Sequence, residues 1–148
     1  MESLRALDPW YVTGFTDGEG SFTFSRSSAQ MALYFSIKLV ASDRPLLEAI
    51  QQFFGVGTIY AVKARAPTQA GGGATKSASL YRVTRHDELD RITDHFNAYP
   101  LQGKKAESYK IWRAMVVIKR DFRGRNKAAL EELARALSAT QPRNQPWR

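Results

Sequence analysis

The chain contains no cysteine. That excludes a disulfide framework and any thiolate metal site, and leaves the redox compartment open. No apolar run approaches the roughly 20 residues needed to span a bilayer, and no secretory leader is visible at the N-terminus. The expectation is a soluble, intracellular protein of unspecified compartment. Histidine is scarce, with only His86 and His95. Nine residues apart and without cysteine beside them, they make a poor metal pair and are read as structural. Acidic residues are missing from one long stretch. Residues 61–85 carry Lys63, Arg65, Lys76, Arg82 and Arg85 and no acid at all.

What is present points to a polyanion. The net charge of +8 is unevenly spread. The stretch 61–85 carries +5, and residues 101–127 carry nine basic side chains against Glu107 and Asp121. The remainder is mildly acidic. Two basic blocks on such a chain describe a surface built for nucleic acid rather than generally solvated helix backs. At 148 residues with 43% apolar content, one folded domain with a real core is expected, spanning 1–140. The segment 141–148, with its prolines and terminal Trp147-Arg148, reads as a flexible tail.

Residues 10–22, Trp-Tyr-Val-Thr-Gly-Phe-Thr-Asp-Gly-Glu-Gly-Ser-Phe, organise the rest. Asp8-Pro9 opens a helix, the Asp accepting from orphan amides and the Pro needing none. Gly14 and Gly18 are four apart and share a helix face that another backbone could approach closely. Gly18-Glu19-Gly20 is read as the stop, with glycines taking left-handed conformations. A carboxylate is thereby delivered to a helix C-terminus, which the helix dipole disfavours. A divalent cation is one way to offset that cost.

Further along, Ser21–Ser25 alternates as a half-buried strand, with Phe22 and Phe24 on one face. Polar residues 26–30 form a turn. A second strand at about 32–41 sets Leu33, Phe35, Ile37 and Leu39 against Tyr34, Ser36 and Lys38. Asp43 caps a helix with Pro45 in its first turn and an apolar stripe of Leu46, Leu47, Ile50, Phe53 and Phe54, ended by Gly55. A third strand covers 57–63, and the Pro- and Gly-rich 66–76 is a flexible connection. A fourth strand, 77–85, sets Ser79, Tyr81 and Val83 against Leu80, Arg82 and Thr84. Asp87 starts another helix with Leu89, Ile92, His95 and Phe96 near the core. A longer helix at 104–120 buries Tyr109, Trp112, Met115 and Val116, and Asn126 caps a last one carrying Leu130, Leu133 and Leu137. The order is helix, two strands, helix, two strands, helix, then accessory helices, an α+β domain with an antiparallel sheet suited to a DNA major groove.

Gly14-Phe-Thr-Asp-Gly-Glu-Gly20 resembles the signature of the LAGLIDADG homing endonuclease family. The resemblance continues through Phe35-Ser-Ile, Asp43-Arg-Pro-Leu-Leu, Phe54-Gly-Val-Gly-Thr-Ile-Tyr, Tyr81-Arg-Val-Thr and Tyr99-Pro-Leu-Gln-Gly-Lys-Lys-Ala-Glu-Ser-Tyr-Lys-Ile-Trp. It implies an αββαββα fold with an antiparallel DNA-binding sheet and extra C-terminal helices. It also implies a metal-dependent, site-specific double-strand DNA endonuclease serving intron or intein mobility. Glu19 takes the metal-ligand position, helped by the Gly18 carbonyl, while Asp17 is structural. Lys104, with Lys105 second, takes the basic position that assists the scissile phosphate or its attacking water.

A single motif implies a homodimer packed through Trp10, Tyr11, Gly14 and Gly18, reading a palindromic or pseudo-palindromic target. Mg²⁺ is the implied cofactor, with Mn²⁺ substituting and Ca²⁺ supporting binding without cleavage. Base readers are expected among Thr23, Ser25, Arg26, Gln30, Tyr34, Ser36, Lys38, Tyr60, Lys63, Arg82 and Thr84, with Arg82 foremost because Arg contacts guanine in bidentate fashion. The competing readings are a non-cleaving DNA-binding regulator or RNA-splicing maturase on the same scaffold, and a generic basic RNA-binding domain. Retention of Glu19 disfavours the first pair. The lack of an RNP-type aromatic motif disfavours the last.

Overall fold

The computed structural model describes residues 6–27, 30–67, 71–122 and 126–141. Helix α1, Pro9–Glu19, begins as its sequence requires. The Asp8 carboxylate accepts from the amides of Trp10 at 2.8 Å and Tyr11 at 3.4 Å. It runs directly into β1, Gly20–Ser27, which pairs antiparallel with β2, Gln30–Val40. A single 3-10 turn, Ala41–Asp43, leads into α2, Arg44–Phe54, which closes on Gly55 in the left-handed conformation. β3, Thr58–Val62, and β4, Ala78–Val83, follow, then α3, His86–Ala98, α4, Lys105–Phe122, and α5, Lys127–Thr140. The sheet order is β1-β2-β4-β3, antiparallel throughout. The chain is therefore αββαββα with two further helices, as its sequence leads one to expect.

The period-2 pattern decides which face is covered. Phe22, Leu33, Phe35, Ile37, Tyr81 and Val83 are all essentially inaccessible and meet the helices. Phe22 lies at the centre, with ring centroids 5.2 to 5.5 Å from Phe35, Phe96, Tyr109 and Trp112. Burying such a ring stabilises by about 1.5–3 kcal/mol, with edge-to-face geometry adding roughly 0.5–1.5 kcal/mol per pair. On the opposite face lie Ser21, Thr23, Ser25, Tyr34, Ser36, Lys38, Arg82, Thr58 and Tyr60, in register from strand to strand. None of the helices described packs its core residues there.

Some local expectations need correcting. None of Gly14, Gly18 and Gly20 has positive φ; among the described residues those that do are Gly55, Gly57 and Gly71. Gly20 sits at φ −85°, ψ 167°, already extended, so α1 stops by turning straight into a strand. Glycine is needed there for space. A Cβ at Gly20 would lie 2.6 Å from Thr16 Cγ2 and 3.1 Å from the Thr16 carbonyl. Gly57 has both requirements at once, with φ +96° and the Tyr81 ring 2.5 Å from where a Cβ would stand. The Tyr81 hydroxyl then donates to the Val56 carbonyl at 2.7 Å.

Arg85, not Asp87, precedes the first turn of α3, and Asp87 pairs with Arg85 at 3.1 Å from within that turn. Neither Asp43 nor Asn126 makes a side-chain capping bond, although each occupies the capping position. The connection after β3 is more ordered than its composition implies, because Arg65 and Thr75 exchange backbone hydrogen bonds at 3.0 and 2.8 Å. Gln141, counted with the tail, is held: its side-chain amide donates to the Phe22 carbonyl at 2.7 Å. The rest of the expected tail, 142–148, lies outside the described residues, as do positions 28–29 of the β1–β2 turn and 68–70 of the glycine-rich connection.

Candidate active site and nucleic-acid interface

The C-terminal end of α1 brings together the chemistry-bearing residues. Glu19 is its last residue and is exposed. Its carboxylate has no hydrogen-bond or ion-pair partner among the described residues, so its oxygens are available. Gly18 is exposed too, and carbonyls of a final helical turn lack intrahelical donors. Asp17, two residues before Glu19, is committed elsewhere. Its Oδ2 accepts from the Gln102 amide at 3.0 Å and its Oδ1 from the Gly103 amide at 3.1 Å. These are the amides that lead into α4, where a helix N-terminus favours negative charge. Asp17 is thus structural in the sense expected of it.

The two lysines separate. Lys105 is half-buried, and its Nζ donates to the Asp17 backbone carbonyl at 3.1 Å. Burial lowers its pKa, while the charges of Asp17 and Glu19 push the other way. Lys105 therefore shares an electrostatic neighbourhood with Glu19. Lys104 is exposed and helps line a cavity of about 570 Å³, together with Asp17, Ser21, Thr23, Lys105 and Ser108. That cavity lies between the start of α4, the end of α5 and strand β1. Among the described residues no group of three or more His, Asp or Glu side chains could hold a metal ion. One chain offers a carboxylate and backbone carbonyls. These hard oxygen donors suit Mg²⁺, which takes one or two carboxylates and completes its shell with water and phosphate oxygens.

The outward face of α1 is open. A Cβ at Gly14 or Gly18 would meet nothing within 4 Å, and Trp10 and Tyr11 are 50% and 46% exposed. Tyr11 stacks on Phe15 at 6.0 Å and Trp10 edges onto Tyr99 at 5.2 Å. The inward face is closed. Thr13 Oγ1 donates to the Tyr99 carbonyl at 2.8 Å and so accepts from His95 Nε2 at 3.0 Å. Burial drives the His95 pKa down to about 4, keeping the imidazole neutral. The structural reading of His95 is thereby given its partners.

The expected base readers fall into groups. Thr23, Ser25, Gln30, Tyr34, Ser36, Lys38, Tyr60 and Arg82 lie on the uncovered face of the sheet, although Ser36 is itself buried among its neighbours. Lys63 and Thr84 are exposed just beyond the ends of β3 and β4. Arg26 is not with them. It shares a side of β1 with Phe22 and Phe24, and its guanidinium pairs with Glu131 of α5 at 2.7 Å. The pleat turned it toward the helices.

Arg82 is posed by contacts its sequence position did not disclose. Its guanidinium carbon lies 4.5 Å from the centroid of the Tyr34 ring, and the Tyr34 hydroxyl is 2.9 Å from Ser25 Oγ. The Arg82 Nε is buried without a hydrogen-bond partner among the described residues. The carboxylate-to-amide ties of Asp17 and the strapping of α5 onto α4 and β1, through Ser108–Thr140 at 2.7 Å and Gln141, were likewise not foreseen. No local pattern signals them, since their partners lie 32 to 119 residues apart.

Comparison with known proteins agrees with this arrangement. The family model described as LAGLIDADG endonuclease matches residues 12–116. An uncharacterized 50.9 kDa protein in ND4 intron 1 of Podospora anserina is 33% identical over 124 residues, which are 78% of this chain and 25% of that protein. Probable intron-encoded endonuclease 3 of Neurospora crassa is 31% identical over 112 residues, 72% of this chain and 19% of that protein. The chain thus spans a quarter or less of the length of these relatives.

Among solved structures, the LAGLIDADG meganuclease I-AabMI bound to uncleaved DNA superposes with a TM-score of 0.76 at 29% identity. The match covers 93% of this chain and 47% of that one. The homing endonuclease I-TnaI matches with a TM-score of 0.70 at 24% identity over 92% of this chain and 97% of that one, a likeness of fold. No helix among the described residues is long and apolar enough to cross a membrane. With the motif helix, the sheet and the family match in place, the chain belongs to the LAGLIDADG endonuclease family.

Proposed function

We propose that this protein is a site-specific, metal-dependent DNA endonuclease that acts as a homodimer on a palindromic or pseudo-palindromic target. The observation that carries the reading is Glu19. It is an exposed carboxylate, without a partner among the described residues, at the junction of an open helix face and an uncovered polar sheet face. A binding protein has no use for a free acid placed where phosphates must pass.

Glu19 and the Gly18 carbonyl hold a divalent cation, Mg²⁺ by preference, with Mn²⁺ substituting and Ca²⁺ supporting binding alone. Such an ion supplies charge neutralisation at the phosphorus and a more acidic water. Lys105, tied beside Glu19, presents its ammonium to the scissile phosphate, while the more exposed Lys104 meets a neighbouring backbone phosphate. Two copies related by a two-fold axis through Trp10, Tyr11, Gly14 and Gly18 bring two Glu19 side chains together, one for each DNA strand. That the chain matches just under half of the I-AabMI chain supports this assembly. Readout falls to Thr23, Ser25, Gln30, Tyr34, Ser36, Lys38, Tyr60 and Arg82, with Lys63 and Thr84 at the margins and the backbone giving affinity. Arg26 is left out because Glu131 holds it.

The test begins with a randomised duplex pool, from which cleaved sequences are recovered in Mg²⁺. A symmetric consensus is expected. On that duplex Glu19→Gln should lower the cleavage rate on the order of a thousandfold, equivalent to several kcal/mol, while affinity in Ca²⁺ stays within about threefold. Full cleavage by this variant removes Glu19 from the site. Enrichment by binding without cleavage favours the regulator or maturase.

A further inference from the structure

We infer that Asp17 is the positioning residue of the cleavage site, holding Lys105 against the end of α1 that carries Glu19. The inference rests on the reading of Glu19 and Lys105 just given and adds the device that sets their spacing. Asp17 makes three bonds to one short segment. Both carboxylate oxygens accept backbone amides, from Gln102 at 3.0 Å and Gly103 at 3.1 Å, and its own carbonyl accepts from Lys105 Nζ at 3.1 Å.

The chain just before this segment is already tied to α1 through the Thr13–Tyr99 hydrogen bond and the Trp10–Tyr99 ring contact, but those ties lie several residues before Lys105. Asp17 supplies the tie at the segment itself, from a residue two before Glu19. Gly103 is part of the same fit, since a Cβ there would stand 3.2 Å from Asp17 Oδ1. A carboxylate suits two converging N–H donors, and an amide does not, because its NH₂ faces one of them. The juxtaposition is wasted on a purely structural tie, for which one bond at any point of the segment would serve. Here the tie also places a half-buried lysine in the electrostatic neighbourhood of Glu19, an acid with no partner among the described residues.

The experiment uses a duplex that the wild-type protein itself selects from a random pool, cleaved at saturating protein in Mg²⁺. Lys105→Met and Asp17→Asn are each expected to lower the maximal rate about 10- to 100-fold, because a small misplacement of a charge-stabilising group costs that much. Duplex affinity in Ca²⁺ is expected to stay within about threefold of wild type for both. The double variant should be no slower than Lys105→Met alone, since Asp17 acts through Lys105.

Amide hydrogen exchange gives a readout independent of cleavage. Protection at whichever of Gln102 and Gly103 faces the new NH₂ group should be lost in Asp17→Asn, and both should stay protected in Lys105→Met. Should Asp17→Asn fail to fold, Gly103→Ala presses on the same carboxylate without removing it. It should show a smaller rate loss that disappears in the Lys105→Met background. Wild-type rate in Asp17→Asn, full additivity in the double variant, or loss of Ca²⁺-supported binding each overturns the inference. Wild-type rate in Lys105→Met takes the lysine out of the chemistry and the inference with it, leaving Glu19→Gln to judge the broader reading.

Discussion

The two faces of α1 were built to different standards. On the inner side Val12, Thr13 and Thr16 are almost wholly buried, and Gly20 lies against the Thr16 side chain and carbonyl closely enough to exclude a methyl group. On the outer side Gly14 and Gly18 leave open space where side chains would be, and Tyr11 is exposed beside them. A helix at the surface of a monomer ordinarily turns charged residues outward. This one turns out aromatics and glycines, and its only acids sit in the last turn. The difference teaches that the helix is closed on one side and left open on the other, the side to which the proposed dimer assigns its two-fold contact. Glycine stands differently on the two sides: at 20 the single chain requires it, and at 14 nothing within the single chain does.

The largest effect expected on stability comes from the inner side. Gly20→Ala should destabilise the isolated chain by about 1–3 kcal/mol, the usual cost of forcing a methyl into a packed junction. Urea denaturation reads it directly. Wild-type stability would mean that Thr16 gives way freely, and the inner face would lose its claim to close packing.

A second test uses protons. The folded chain keeps His95 neutral down to about pH 4, whereas its ordinary value is 6.5. Between those values the unfolded chain binds the extra proton, so stability is fully present above pH 6.5 and is lost as the pH falls toward 4. At pH 5 the difference amounts to about 2 kcal/mol. Denaturation midpoints at pH 7 and pH 5, compared with those of His95→Gln, isolate this histidine from the carboxylates. An identical pH slope in the two proteins would mean that water reaches the ring and that the inner face is less closed than its burial implies.

The same contrast explains what could be read without coordinates. The strand alternation of 31–39 is written in single residues, as are the caps at Asp8-Pro9 and Gly55, and these set the αββαββα order. Glu19 was legible because a carboxylate at a helix end between glycines is anomalous within a few residues. Arg26 was placed in a turn, whereas β1 continues through Ser27, and the same alternation carried one residue further puts it on the side of Phe22 and Phe24. Gly20 was assigned a backbone role when its reason is the position of Thr16. Asp17 binds amides more than eighty residues away, and no periodicity reports that. Nor could adjacent lysines at a helix start be told apart, since one residue of rotation decides which points back to α1.

The smallest stability change is also the most discriminating, because its sign differs from that of its effect on assembly. Gly14 lies within α1 with nothing near the place of its missing Cβ. Leucine there should stabilise the dilute, monomeric chain by about 0.5–1 kcal/mol, the ordinary gain over glycine in a helix interior. In a dimer packed through this face the same side chain occupies the space of the opposing backbone. Self-association measured by analytical ultracentrifugation should weaken by at least about tenfold, or 1.4 kcal/mol. Gly20→Ala cannot produce that pair of opposite signs, since its clash is already present in one chain. An unchanged dimer in Gly14→Leu would place the two-fold contact elsewhere, and the open side of α1 would then need a different occupant.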